Sequence, residues 1–121
     1  MEKKAKMPTH QLTIPNTVFI DDNIHGNEKL LLSEIIWMQD YNEKHNGVKY
    51  CQASNFYFRM ILGLKSERAI TDLIAKLKDM GYIKELPYCK GNFRRLVYNF
   101  EKCFWRDVVI GHTKPRENNN F

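Results

Sequence analysis

Between residues 88 and 95 the chain reads Tyr-Cys-Lys-Gly-Asn-Phe-Arg-Arg, which gathers two aromatic rings, an ammonium and two guanidinium groups into one short stretch. Tyr88 and Phe93 offer faces on which an unpaired base stacks. Lys90, Arg94 and Arg95 offer partners for its phosphates, with the amide of Asn92 beside them. Gly91 and Asn92 also tolerate positive φ, so Lys90-Gly91-Asn92 is the turn of a β-hairpin, in which Tyr88 and Phe93 serve equally well as a stiffening cross-strand pair. A second polar set lies upstream: Lys65, Ser66, Arg68, Thr71 and Lys76. Readers of duplex base edges favour Arg, Asn or Gln, yet here Arg68 and Thr71 are flanked by Glu67 and Asp72, and Arg68 stands at i, i+4 from Asp72, the spacing of a surface ion pair. Such cations position a polyanion without reading its sequence.

Those two sets need elements to hold them. Ser54 is placed to cap a helix whose Phe58, Ile61 and Leu62 recur at helical spacing before Gly63 stops it. Leu64 fills the turn, and Ser66 caps a second helix with Ile70, Leu73, Ile74, Leu77 and Met80 in one stripe, ended at Gly81. Its other face is polar or small. Two strands follow, Tyr82–Leu86 and Arg94–Phe100, with residues 47–50 as a short strand pairing with them. Upstream, residues 11–15 read as extended and 16–25 as a loop. Asn27 is the expected cap of a helix from Glu28 to Lys44 whose apolar residues occupy most of its circumference. Such a helix must be covered on more than one side: by the helix pair, and by the N-terminal segment, the segment Glu101–Ile110 or a second subunit.

The stretch from Ala53 to Ile83, two helices across a short turn and then a strand, has the layout of a helix-turn-helix running into a wing. It resembles the winged-helix domains of Gram-positive phage and plasmid replication initiators and replisome organisers. The resemblance rests on Ile14-Pro15-Asn16, on EKLLLSEI (residues 28–35), on Ala53-Ser54-Asn55, on LGLKSERAI (residues 62–70) and on LKDMGYI (residues 77–83), and it extends over about residues 12–100. It implies an α+β winged helix-turn-helix with three main helices and a β-hairpin wing, which binds DNA through the second helix of the pair and the wing. It implies no catalytic position. Cys51 and the run Phe56-Tyr57-Phe58 depart from the pattern, where smaller or aliphatic residues are expected.

Of the 121 residues 43% are apolar, enough for a single core. Residues 12–110 are expected to form it, with a flexible N-terminus over 1–11 and a disordered, Asn-rich tail over 111–121; Phe104, Trp105, Val108, Val109 and Ile110 are too apolar for a free linker. Charge is divided along the chain. Residues 11–48 carry two lysines against six carboxylates, and residues 49–95 carry ten cations against four, so the helix pair and wing form the basic half that attracts phosphate. No apolar run approaches the ~20 residues of a membrane span, and the basic N-terminus precedes no apolar leader, so a cytoplasmic protein is expected. Cys51, Cys89 and Cys103 have neither disulfide-framework nor zinc-ligand spacing, so no metal or other cofactor is expected. His10, His25, His45 and His112 accompany no phosphate loop, metalloprotease motif or nucleophile elbow, so no enzymatic activity is expected. Three functions fit: a mobile-element replication protein that binds single-stranded or duplex DNA with little sequence preference, a sequence-specific duplex-binding transcription or origin factor, and an interaction module that docks other replication proteins.

Overall fold

A helix that is apolar on most of its circumference has to sit at the centre of whatever packs around it, and the 20-residue helix Asn27–Asn46 does. The computed structural model describes residues 12–87 and 94–105. In chain order its elements are α1 (Asn16–Phe19), α2 (Asn27–Asn46), α3 (Asn55–Leu62), α4 (Glu67–Asp79), β1 (Ile83–Glu85), β2 (Leu96–Tyr98) and α5 (Phe100–Cys103). The class is α+β: helices around one two-stranded antiparallel sheet, in which Ile83 faces Tyr98 and Glu85 faces Leu96. The expected N-terminus (1–11), the expected tail (111–121) and the turn residues Tyr88, Lys90, Asn92 and Phe93 lie outside the described residues.

Leu31, Leu32, Ile35 and Ile36 of α2 are buried against Phe58 of α3, Ile70, Ile74 and Leu77 of α4, and the sheet residues Ile83, Leu96 and Tyr98. Leu73, expected in the buried stripe, is only half-buried at its edge, as is Met80. Two polar groups that enter this core are partnered: the backbone N–H of Tyr98 donates to Gln39 Oε1 at 2.9 Å, and the Tyr57 hydroxyl donates at 2.6 Å to the fully buried Glu34. Burial first, then the carboxylate beside it, push the Tyr57 hydroxyl pKa upward, so it remains a donor. The thiols of Cys51 and Cys103 are also buried, and burial pushes Cys51 up to about 12.

Several local expectations change. Asn27 is not the cap: Gly26 occupies that position, and Glu28 serves the helix start by accepting the backbone N–H of His25 at 2.9 Å. The stretch 16–25 is not all loop, since Asn16–Phe19 forms one helical turn whose Thr17 hydroxyl donates to the backbone C=O of Cys103. That bond joins the two ends of the described chain. No strand forms over residues 47–50; one antiparallel bridge, Cys51 to Leu96, takes its place, with N–H···O distances of 2.7 and 2.9 Å. The second strand is short because Asn99 accepts the N–H of Lys102 at 3.2 Å and starts α5, so Phe100 is helical.

Ile14 and Phe104 pack on the core, so segments from both ends cover part of α2. On another flank of α2 the rings of Trp37, Tyr41 and His45 follow one another with centroids 5.0 and 4.3 Å apart, the first pair stacked and the second tilted. Among the described residues no helix is long and apolar enough to cross a membrane, and no cluster of three His, Cys, Asp or Glu side chains could hold a metal ion.

Candidate nucleic-acid interface

The turn between α3 and α4 is set by two local devices. Gly63 takes φ 69°, a left-handed value that a side chain disfavours, and the N–H of Leu64 closes back on the C=O of Arg59 at 3.0 Å. Ser66 then accepts the N–H of Ala69 at 3.2 Å and opens α4. This geometry places Lys65, Ser66, Arg68 and Thr71 on the exposed side of the turn and of the first half of α4. Among the described residues neither Lys65 nor Arg68 is in an ion pair, so the expected Arg68–Asp72 pair does not form.

The other nominated cations among the described residues, Lys76, Arg94 and Arg95, have partners within the protein. Lys76 reaches across to α2 and meets Glu28 at 2.6 Å. Burial alone would raise the Glu28 carboxyl, but the hydrogen bonds from Lys76 and from the His25 N–H outweigh it and hold its pKa below the ordinary 4.5. A carboxylate depressed by folding stabilises the native state above the unfolded value and stops doing so as pH falls through the folded value. Lys76→Met is therefore expected to lower stability at about pH 7, with the difference from the wild type shrinking in urea unfolding as pH falls through the folded carboxyl value. A loss that persisted unchanged at the lower pH would assign the effect to packing of the lysine stem.

Arg94 is the largest departure from expectation. Instead of reaching solvent, its guanidinium donates to Asn55 Oδ1 at 2.6 Å and to the C=O of Ala53 at 2.7 Å, with Cζ 5.9 Å from the Phe58 ring centroid. Burial draws its pKa down from the ordinary arginine range, a direction that still leaves an arginine charged at neutral pH. Asn55 Nδ2 in turn donates to Thr71 Oγ1 at 2.9 Å, and the Thr71 hydroxyl donates to the C=O of Glu67 at 3.3 Å. A single polar chain thus runs from the foot of β2 through the start of α3 to the exposed side of α4. Arg95 donates to the C=O of Pro87, and its Cζ lies 5.4 Å from the Tyr50 ring centroid.

Four nominated residues therefore come together, at Lys65, Ser66, Arg68 and Thr71, whereas Lys76, Arg94 and Arg95 are engaged internally. The remaining four, Tyr88, Lys90, Asn92 and Phe93, are those outside the described residues. Sequence reasoning missed Asn55, Glu28 and the α3 pair Phe56 and Arg59. The ring of Phe56 is 44% exposed, with the Arg59 guanidinium carbon 5.4 Å from its centroid. Its signal was available: the spacing of Phe58, Ile61 and Leu62 turns Phe56 away from the core. Comparison with family models, with curated proteins and with solved structures finds no match to this chain.

Proposed function

We propose that this chain is a winged-helix module that binds DNA with little sequence preference, in the replication of a mobile element as its resemblance implies, and that the α3–α4 turn with the first half of α4 is the contact surface. The order of three main helices, α2, α3 and α4, followed by two antiparallel strands, with the Cys51–Leu96 bridge preceding α3, supports the winged-helix reading. One observation carries the functional reading. Lys65 and Arg68 stand exposed and outside any ion pair among the described residues, beside a helix N-terminus, while Lys76 and Lys78 are held by Glu28 and Glu85. The low specificity follows from the same face. The proton of the Thr71 hydroxyl is committed to Glu67, so Arg68 is left as the main base-edge donor, flanked by Glu67 and Asp72.

Lys65→Ala with Arg68→Ala is expected to weaken binding to random oligonucleotides alike. On single strands it should also flatten the slope of log affinity against log salt, by up to about 0.7 for each phosphate that is no longer neutralised. Lys29→Ala with Lys44→Ala, on the acidic half, should change both quantities little. Equal losses from the two pairs would mean diffuse attraction without a preferred surface, and no salt-dependent binding by the wild type would remove the proposal.

A further inference from the structure

The outward face of α3 has a composition that the turn and α4 do not share. At ~100° per residue Phe56 and Met60 each stand ~160° from the buried Phe58 and ~40° from each other, and they are 44% and 42% exposed. Arg59 lies beside them with its guanidinium over the Phe56 ring, and among the described residues it is in no ion pair. The segment from Lys44 to Ser66 carries Lys44, Lys49, Arg59 and Lys65 and no carboxylate, whereas α4 intersperses Glu67, Asp72 and Asp79 among its cations. The start of α3, which carries the ring, is tied to the proposed contact surface, because Asn55, the chain neighbour of Phe56, donates to Thr71 of α4.

We infer that the Phe56–Arg59 face of α3 is a stacking platform for an unpaired nucleobase, which makes single-stranded nucleic acid the preferred substrate. The inference rests on the nucleic-acid reading above and specifies its ligand. A guanidinium behind the ring leaves the opposite ring face for a base, so that the three planes lie in series. The guanidinium donors of Arg59, in no ion pair among the described residues, and Lys65 then meet the flanking phosphates without a carboxylate from the same segment to repel them. A duplex keeps its base faces stacked internally and has nothing to offer the ring.

The test is fluorescence anisotropy with a labelled oligothymidine strand and with a random duplex of equal length. Because Phe56 is exposed, its variants should retain the wild-type circular dichroism and melting transition, which is checked first. Phe56→Ala and Phe56→Leu are each expected to lower affinity for the strand at least about tenfold and to change duplex affinity less than about twofold. Phe56→Trp should keep strand affinity, with indole emission quenched as oligothymidine is added. Equal losses on strand and duplex, or none on either, would overturn the platform while Lys65→Ala with Arg68→Ala could still support the nucleic-acid reading. In the second case the face would be left for a protein partner. Binding of neither substrate by the wild type would overturn both.

Discussion

Leu77→Asp is expected to abolish cooperative folding. Leu77 is fully buried in the α4 stripe between Ile74 and the start of the sheet, and its backbone C=O accepts the N–H of Tyr82 at 3.0 Å. An aspartate there loses the leucine's transfer free energy of about 2 kcal/mol and adds a buried charge or a forced protonation, together a large part of the ~5–15 kcal/mol that stabilises a domain. Leu73→Asp is the informative companion. The stripe as read from spacing makes the two positions equivalent, but Leu73 is half-buried at the rim, where a carboxylate reaches water. Thermal circular dichroism should show no transition for Leu77→Asp and a lowered but cooperative one for Leu73→Asp. If the two behaved alike, α4 would be rotated from the orientation described.

Arg94→Ala is expected to cost about 3 kcal/mol, since two charge-assisted hydrogen bonds of roughly 1.5–3 kcal/mol each are removed with partial compensation by water. Arg94→Lys should recover less than half of that. A single ammonium cannot span Asn55 Oδ1 and the Ala53 C=O as the planar fork does. The lysine variant also separates a strut from a phosphate ligand. A phosphate would accept an ammonium with little loss of binding, whereas a broken strut weakens binding although the charge is kept. Denaturant unfolding of Arg94→Ala, Asn55→Ala and the double variant should be non-additive, because both single changes break one chain of bonds. Additive losses would mean that the chain is two independent interactions.

What the sequence disclosed were the features fixed by near neighbours. Ser54 and Ser66 cap the helices expected of them because a cap needs only an N–H three residues on, and Gly63 and Gly81 take positive φ because a helix C-terminus calls for it locally. Ile70, Ile74 and Leu77 were legible from period alone. The partners of the charges were not. Lys76 and Glu28 lie on different helices, and Arg94 and Asn55 are brought together by the fold, so no spacing rule reaches either pair. Counting cations marked the basic half of the chain, but it could not separate those used inside the protein from those left for a ligand. The start of α2 failed for a related reason. Asn27 has the composition of a cap, and a glycine at φ 49° with a reciprocal glutamate three residues beyond His25 took the position.

The closed thiols give the molecule two built-in clocks. An alkylating reagent attacks the thiolate, and Cys51, with no exposed surface and a pKa near 12, offers almost none while the chain is closed. Its modification rate at neutral pH therefore counts the moments when its strand-like segment parts from Leu96. Cys103, equally enclosed beneath the Thr17 hydroxyl, counts the separate moments when the ends of the described chain let go of each other. Peptide mapping of the two labels resolves breathing of the sheet from breathing of the termini without adding any probe to the chain.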